Sequence, residues 1–315
     1  VFMNLTITGC SVTGSTITGK GSVGGIIGHG SCAAWTSVDI NGTTVSGNII
    51  TSTGSSNVKA GAIMGTIGAA GQPTTANGVT KTGGAFISAT VADNNVTSNG
   101  TAITTIYGRQ GTETGILTLT AGGSYQNNPI EENVTYAVVA PGYKLEEIAY
   151  GTYGVVVDPA YGKVAKIGET YYETLAEAIA AVGAGNVVIE LVNDATLDYN
   201  AREAYGTDET TSLTINGNGK ILTLNQKNSD WSSFGLANAA AKVVFNNMII
   251  EKTGYGDTDG PWNTHTIIFS SKVEMTDVTV NNSMAVQAGA TLNNVTINEA
   301  NGYYGLWING NGQSV

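Results

Sequence analysis

A short pattern that recurs along the chain constrains its fold more than any other feature. The pattern is a large apolar residue, any residue, Asn or Asp, an aliphatic residue, any residue, and a second aliphatic residue. Its copies begin at Phe2, Phe245, Met275 and Leu292. The two aliphatic residues of each copy fall on one face of a strand, because side chains alternate between the faces. A short strand cannot bury that face alone, so the copies are expected to stack on one another.

The spacing of the copies favours a solenoid. From Asn247 to Asp277 is 30 residues, and from Asp277 to Asn294 is 17. A solenoid tolerates such variation, because its loops change length while its strands stay in register about 4.8 Å apart. Asn and Asp accept left-handed backbone, so the repeated position is interpreted as a turn. This interpretation assigns Asp277 a structural role in preference to a catalytic one.

A second repeat occupies residues 1–120. Its copies are VGGIIG at 23–28 and AGAIMG at 60–65, with a weaker echo, TIYG, at 105–108. The preceding Thr/Val-rich segments are 11–14, 44–47 and 90–93. The alignment makes Ile26, Ile63 and Ile106 equivalent. This arrangement resembles the GLUG repeat of bacterial surface proteins and adhesins, whose motif reads Gly-Gly-Leu-Val-Gly. The resemblance implies a β-solenoid at a bacterial surface and does not imply an activity.

One helix is predicted near the middle of the chain. Thr174 and Glu177 have the spacing of a capping box, and Leu175, Ala178, Ile179 and Val182 form one apolar stripe. Gly183 stands where a C-terminal glycine stop is expected. The helix precedes a strand at 187–191 and is expected to cap the first layer of a solenoid. The run Tyr171–Leu191 resembles the start of pectate-lyase-like β-helix modules of secreted bacterial proteins, and this resemblance extends from about residue 165 to the end.

These features predict an all-β protein, a right-handed parallel β-helix (β-solenoid) in two blocks. The blocks are 1–128, with GLUG-like repeats, and 165–315, capped by the helix and pectate-lyase-like. A β-rich spacer, 129–164, is predicted to hold two strands around a turn, with Lys144–Glu147 near the bend. The composition agrees, because 43 glycines and only 12% charged residues suit short strands and tight turns.

The charge of the chain argues against nucleic acid as a partner. There are 13 basic and 24 acidic residues, for a net charge of −11, and the basic residues form no cluster that could neutralise phosphates. No apolar run has membrane-spanning length. Both ends have strand-like sequence, so the chain is expected to belong to a longer polypeptide. Its localisation is interpreted as extracellular or cell-surface.

Three groups of residues are candidates for sites. Asp257 and Asp259, before Gly260, resemble the start of a calcium loop but supply only part of the six to eight oxygens that calcium requires, so a solvated acidic turn is the alternative. Four aromatic residues are candidates for stacking on sugar rings, with core packing as the alternative: Trp231, Trp262, Tyr303 and Trp307. Cys10 and Cys32 are 22 residues apart, which by the family resemblance is close to one coil, and a disulfide or two buried free thiols would both fit.

The leading functional interpretation is a non-enzymatic, adhesin-like surface scaffold that binds a polysaccharide or host glycan. The sequence assigns no catalytic residue, and calcium is the single cofactor that it suggests. One alternative is a polysaccharide lyase or glycoside hydrolase with carboxylates at 257–277 or at Glu299. The other is a purely structural stalk. Because β-helices host many activities, the fold does not decide between them.

Overall fold

The structure is a computed structural model of an all-β chain with one short helix among its described residues. It describes residues 3–30, 35–54, 60–67, 74–76, 79–81, 84–102, 106–108, 116–127, 129–130, 137–199, 203–227, 233–254, 266–298 and 305–308. The chain divides into two compact units, Val1–Tyr161 (unit 1) and Gly162–Val315 (unit 2). Each unit contains its own cluster of buried apolar side chains.

The strands of unit 1 are β1 (Met3–Thr8), β2 (Ser11–Thr13), β3 (Thr16–Gly19), β4 (Val23–Gly24), β5 (Ile27–Gly30), β6 (Trp35–Ser46), β7 (Ile49–Ser52), β8 (Ala60–Gly61), β9 (Met64–Ile67), β10 (Thr74–Ala76), β11 (Val79–Lys81), β12 (Gly84–Ala92), β13 (Asn95–Ser98), β14 (Thr101–Ala102), β15 (Ile116–Leu119), β16 (Ser124–Gln126), β17 (Ala137–Val139), β18 (Tyr143–Ala149) and β19 (Thr152–Val157).

Unit 2 contains β20 (Ala165–Ile167), β21 (Thr170–Tyr172), the helix α1 (Leu175–Ala180), β22 (Gly185–Leu191), β23 (Ala195–Tyr199), β24 (Glu203–Tyr205), β25 (Thr210–Asn216), β26 (Ile221–Gln226), β27 (Ser233–Leu236), β28 (Lys242–Gly254), β29 (Thr266–Phe269), β30 (Lys272–Val280), β31 (Ser283–Val286), β32 (Ala290–Ile297) and β33 (Leu306–Ile308).

Parallel ladders organise unit 1. Strands β1, β6, β12, β15 and β17 pair in that order, and β2, β6, β12 and β16 form a second ladder beside them. Ile40 pairs with Ile7 on one side and with Ile87 on the other, and Ile87 pairs with Leu119. Ile40, Ile87 and Leu119 have no exposed surface, so the aligned aliphatic residues make a continuous core.

The glycine-rich repeat stacks as the sequence predicts. The N–H of Ile26 donates to the carbonyl of Ile63 at 3.0 Å, and the N–H of Ile63 donates to the carbonyl of Ile106 at 2.7 Å. The equivalence of these three isoleucines is therefore confirmed. The Thr/Val segments also stack in the predicted register, with Val12 on Val45 and Val45 on Val91.

The predicted spacer segment contributes a hairpin to unit 1. Strands β18 and β19 are antiparallel, and β19 also pairs antiparallel with β16. The turn lies at Tyr150 and Gly151, and Lys144–Glu147 lies within β18, the strand that leads into it. The Glu147 side chain accepts a hydrogen bond from the N–H of Gly151 at 2.8 Å, so this segment contacts the bend. These antiparallel pairs accompany the parallel ladders, so the sheets are mixed.

Unit 2 repeats the short pattern in register. Strands β22, β25, β28, β30 and β32 form one parallel ladder, in which Val278 pairs with Met248 and with Val295. Asn247, Asp277 and Asn294 have φ angles of 49°, 57° and 53°, which confirms the left-handed backbone expected at their shared position, although this position lies within a strand and not in a turn. Asn4 differs from these three residues, because it pairs with Ser37 within its ladder, whereas the ladders of β28, β30 and β32 skip the three left-handed residues.

The helix is confirmed at its start and shorter than predicted at its end. The Thr174 hydroxyl accepts a hydrogen bond from the N–H of Glu177, and the Glu177 carboxylate accepts one from the N–H of Thr174, so the capping box is complete. Leu175 and Ile179 are buried against the unit 2 core. The helix ends at Ala180 with Ala181 as its C-cap, and the nearest glycine with a left-handed φ angle is Gly185 and not Gly183.

Candidate functional site

A groove of about 370 Å³ lies in unit 2, where α1 passes the ends of β23 and β24. Its volume is within the range of small-molecule sites, which is roughly 300–1,000 Å³. The helix side is lined by Ala176, Ile179, Ala180 and Val182, and the strand side by Leu197, Asp198, Ala204, Tyr205, Gly206 and Thr207.

The helix side of the groove is apolar and firmly held. Ile179 and Val182 are 4% and 5% exposed and belong to the core of unit 2. Ala176 and Ala180 are exposed and four residues apart, so they lie on one face of the helix. Because both side chains are single methyl groups, this face leaves room beside the strands.

Tyr205 forms the aromatic wall opposite the helix. Its ring centroid is 4.9 Å from that of Phe234, which in turn lies 5.9 Å from Phe245 and 6.3 Å from Phe269. Phe234, Phe245 and Phe269 are each at most 1% exposed, whereas Tyr205 is half-buried. The tyrosine is therefore supported from behind by a packed aromatic cluster.

Thr210 holds the rim of the groove in place. Its buried hydroxyl donates to the carbonyl of Gly183 at 2.7 Å and accepts from the N–H of Thr207 at 2.8 Å. Gly206 has a φ angle of +75°, and a Cβ at that position would lie 2.6 Å from the Thr210 hydroxyl oxygen. The glycine thus permits the turn that carries Thr207, and Thr210 ties this turn to the segment that follows α1.

Asp198 supplies a carboxylate to the groove. Its Oδ1 accepts a hydrogen bond from Asn225 Nδ2 at 2.6 Å, and its Oδ2 lies 3.1 Å from Lys227 Nζ. The Asn225 hydrogen bond, followed by the contacts with Lys227, lowers the pKa of Asp198 below its usual value. The carboxylate is consequently an ionised acceptor at neutral pH.

These groups together suit a ligand with one apolar face and a rim of hydroxyl groups. The ring of Tyr205 and the alanine methyl groups offer an apolar surface, while Asp198 and the Thr207 hydroxyl offer polar contacts. A sugar ring has this distribution of apolar and hydroxyl groups. Binding by aromatic packing with a few placed polar groups is the usual chemistry of such grooves.

Polar side chains on the outer faces of unit 2 bond along the stacking direction. Asn281 Nδ2 donates to Glu251 Oε1 at 3.1 Å, and Asn298 Nδ2 donates to Asn281 Oδ1 at 3.2 Å. Asn294 Nδ2 donates to Asp277 Oδ1 at 2.6 Å in the same manner. Hydrogen bonds between side chains therefore link successive layers at the surface of unit 2.

Most of the predicted ligand residues lie outside the described residues. Trp231, Trp262 and Tyr303 are in this group, as are Asp257 and Asp259, so the glycan and calcium predictions at these positions remain predictions. Trp307 lies in β33, pairs with Ala285 and is half-buried. In the described part of the chain, no three His, Cys, Asp or Glu side chains are grouped to hold a metal ion.

The structure describes only one of the two cysteines for which a disulfide is predicted. Cys10 is exposed and directly follows the turn after β1, with its thiol 3.9 Å from the carbonyl of Thr8. Cys32 lies outside the described residues. The disulfide remains a prediction, whereas the alternative of two buried thiols is wrong for Cys10, because this side chain is at the surface.

The sequence did not single out the groove. Tyr205 and Asp198 belong to polar, loop-like stretches and become neighbours only when β23 and β24 pass the helix. The capping box and the apolar stripe locate α1, but they do not indicate which strands its exposed face meets. A half-buried tyrosine close to a helix of small residues is a pattern visible only in three dimensions.

The comparisons with known proteins leave the chain without an assigned family. No protein-family model matches it, and no curated protein or solved structure is significantly similar to it. Among the described residues, no helix has both the length and the apolar character needed to cross a membrane.

Proposed function

We propose that this chain is part of an extracellular or cell-surface, adhesin-like repeat scaffold that binds a polysaccharide or host glycan without cleaving it. In this proposal each unit is a right-handed parallel β-helix, and the repeats of residues 1–120 are of the GLUG kind. In-register stacking of the repeated segments supports the scaffold, since it builds one continuous core within each unit.

The groove beside α1 is the observation that carries glycan binding. Tyr205 presents a ring backed by Phe234, and the exposed methyl groups of Ala176 and Ala180 lie across from it. Asp198 and Thr207 lie at the same groove with oxygen atoms that can contact sugar hydroxyl groups. The rim is held by Thr210, so little ordering of the protein is needed when a ligand binds.

The ionised state of the Asp198 carboxylate favours ligand binding over glycoside cleavage at this groove. A general acid in glycoside hydrolysis needs a raised pKa and a second carboxylate across the bond. The pKa of Asp198 is lowered by Asn225 and Lys227, and Asp198 is the one carboxylate among the described residues that line the groove. It is therefore suited to accept hydrogen bonds and poorly suited to donate a proton.

Two carboxylates considered for an enzyme have structural partners. Glu274 Oε2 lies 2.9 Å from Lys242 Nζ, and Asp277 accepts a hydrogen bond from Asn294. These bonds join neighbouring layers, which supports a structural role for both residues. The remaining enzyme candidates, Asp257, Asp259 and Glu299, lie outside the described residues.

The proposal is tested by incubating the purified chain with neutral and acidic polysaccharides, with and without calcium. Retention on the polymer and release of new chain ends are both measured. We expect retention without release. Release of chain ends would make the protein a lyase or hydrolase, and the absence of both signals would favour a structural stalk.

Variants then locate the binding site. Tyr205→Ala should weaken retention at least about tenfold, as expected for a central aromatic contact. Tyr205→Phe keeps the ring on Phe234 and should retain most of the affinity, which separates ligand contact from folding. Tyr150→Ala, which removes a fully exposed tyrosine of unit 1, is the matched control. Equal affinity of Tyr205→Ala and the wild type would place binding elsewhere.

A further inference from the structure

Asp198 and Lys227 form an exposed ion pair at the groove beside α1. Lys227 Nζ lies 3.1 Å from Asp198 Oδ2, and the side chains of Lys227 and Asp198 are 47% and 57% exposed, respectively. Asp198 lines the groove together with Tyr205. A carboxylate of the groove therefore already holds an ammonium group, which shows the kind of cation that this position accepts.

The Asp198 carboxylate is fixed in place and can accept a further donor. Its neighbours in β23, Leu197 and Tyr199, are 2% and 1% exposed, so the backbone at this position is held by the core. Asn225, its partner in β26, donates to Oδ1 at 2.6 Å. Because each carboxylate oxygen can accept about two hydrogen bonds, Asn225 and Lys227 leave capacity on both oxygens.

Lys227 can leave Asp198 at little cost. An exposed ion pair adds little to stability, because water solvates both charges when they separate. The lysine ammonium stands on a flexible four-carbon stem and can turn into solvent. An ammonium on a ligand whose ring packs in the groove could therefore share or take the contact that Lys227 makes.

Tyr205 favours the same kind of ligand. The face of an aromatic ring attracts a cation that lies within about 6 Å of its centroid. The half-buried ring of Tyr205 is supported by Phe234, with the two centroids 4.9 Å apart, and can also pack on the apolar face of a sugar. A sugar that carries an ammonium group would use both Tyr205 and Asp198, whereas Asp198 would repel a sugar that carries a carboxylate.

The charges next to the groove act in the same direction. Three exposed carboxylate residues directly follow lining residues: Glu177 follows Ala176, and Asp208 and Glu209 follow Thr207. The chain as a whole has 24 acidic and 13 basic residues. A negative surface potential raises the local concentration of cationic ligands and lowers that of anionic polymers.

We propose that the glycan bound in this groove contains amino sugars with free ammonium groups, with the sugar ring against Tyr205 and the ammonium on Asp198 in competition with Lys227. This inference rests on the proposed glycan binding and adds the class of sugar. Neutral sugars of the same backbone bind more weakly, because they lack the charge–charge contact with Asp198. Uronic acid sugars bind most weakly.

Isothermal titration calorimetry of the whole chain with short oligosaccharides tests this proposal. The ligands are β-1,4-linked oligomers of glucosamine, of N-acetylglucosamine and of glucose, together with an oligomer of galacturonic acid. The measurement is made at a mildly acidic pH, at which Asp198 is ionised and the sugar amine is protonated. The glucosamine oligomer should bind at least about tenfold more tightly than the N-acetylated and glucose oligomers, as expected for a charged hydrogen bond.

A carboxylate variant separates this contact from general attraction to an acidic protein. Asp198→Asn should weaken binding of the glucosamine oligomer at least about tenfold and should affect the glucose oligomer less. Glu146→Gln is the matched control, because Glu146 is an exposed carboxylate of unit 1 that lies 2.8 Å from Lys144 Nζ. It removes the same charge and should leave the affinity unchanged.

A lysine variant tests the competition. Lys227→Ala should strengthen binding of the glucosamine oligomer about twofold to fivefold, because it removes a like charge from the site. Lys144→Ala, which removes the lysine of the unit 1 pair, should bind like the wild type. If Lys227 instead served to bind an anionic sugar, its loss would weaken binding of the galacturonic acid oligomer.

The outcomes distinguish this inference from the proposed function. A glucose or galacturonic acid oligomer that binds as tightly as the glucosamine oligomer, with binding lost in Tyr205→Ala, would overturn the inference and leave glycan binding in place. Equal effects of Asp198→Asn and Glu146→Gln would also overturn it, as would a Lys227→Ala protein that binds no more tightly than the wild type. A folded chain that binds none of the oligomers would overturn both.

Discussion

Asn48 joins segments of unit 1 that are far apart in the sequence. Its Oδ1 accepts a hydrogen bond from the N–H of Ser15 at 2.9 Å, and its Nδ2 donates to the carbonyl of Val12 at 2.8 Å and to Asn94 Oδ1 at 2.9 Å. The residue is 1% exposed. Because the Asn48 amide is itself buried, its polar atoms depend on these hydrogen bonds, and so do the partly buried backbone atoms that it contacts.

We therefore expect Asn48→Ala to lower the free energy of unfolding of unit 1 by about 2–3 kcal/mol. Asn95→Ala, which changes an exposed asparagine of β13, should alter it by less than about 0.5 kcal/mol. Urea denaturation followed by circular dichroism measures both variants. Equal stabilities of the two variants would contradict the structural role assigned to the Asn48 side chain.

The ionisation of Asp198 depends on its two neighbours. The hydrogen bond from Asn225 is the largest single cause of its lowered pKa, followed by the hydrogen bond from Lys227, so Asn225→Ala and Lys227→Ala should each raise this pKa towards the usual value of about 3.9. NMR titration of the Asp198 carboxyl carbon measures the shift. Lys272→Ala is the control, and an unchanged pKa in Asn225→Ala would contradict the assignment.

The sign of the associated pH dependence follows from the lowered pKa. The stabilisation from Asp198 is present above the pKa of the unfolded chain and is lost as the pH falls through the lower pKa of the folded protein. Asp198→Asn should remove this part of the acid dependence. Because Asp198 is exposed, the effect on stability should be small at moderate salt concentrations.

At the scale of elements, the glycine-rich repeat is explained by close contact between backbones. A Cβ on Gly61, the last residue of β8, would lie 2.3 Å from the Cα of Tyr107 and 2.2 Å from the carbonyl oxygen of Met64. A Cβ on Gly65 would lie 2.3 Å from the carbonyl oxygen of Gly28. The repeated glycines thus set how closely successive layers approach, and the motif identifies a packing position.

Gly61→Ala should consequently destabilise unit 1 by about 3 kcal/mol or more, because the neighbouring atoms belong to the backbone and cannot move aside. Gly21→Ala is the matched control, since no atom lies within 4 Å of a Cβ at that position and its φ angle is not left-handed. Thermal unfolding compares the two variants. A Gly61→Ala protein as stable as Gly21→Ala would show that the layers can separate at little cost.

The start of α1 was predictable, and its end was not. The capping box between Thr174 and Glu177 depends on residues three apart, so local sequence determines it. The last turn depends on the segment beyond it, where Thr210 bonds to the carbonyl of Gly183. That partner is 27 residues away, which places it beyond the reach of a local pattern.

At the scale of the whole molecule, each unit has its own core. The unit 1 cluster contains Ile40, Ile87 and Leu117, and the unit 2 cluster contains Leu213 and Phe245, all of them fully buried. A unit with its own core of this kind can be expected to fold by itself.

We expect fragments 1–161 and 162–315 each to give a strand-rich circular dichroism spectrum and a cooperative thermal transition. The variant Asn48→Ala should lower the transition temperature of fragment 1–161, whereas fragment 162–315 is the internal control, since it contains neither Asn48 nor its hydrogen-bond partners. A fragment without a cooperative transition would contradict the assignment of a separate core to that unit.

The sequence by itself determined which segments are equivalent. Ile26, Ile63 and Ile106 could be aligned, as could Asn247, Asp277 and Asn294, because each layer repeats the same alternation of apolar residues. Strand periodicity is a local property, so its repetition can be recognised from the order of the residues along the chain.

Only the tertiary structure decided which atoms meet across layers. Loops of unequal length separate equivalent segments, so residue spacing could not identify the hydrogen-bond partners of Asn48. For the same reason it could not show that Tyr205 lies across the groove from α1. The groove arises from burial in three dimensions. Burial depends on what the neighbouring layer covers, and that is a property of the stack rather than of any one repeat.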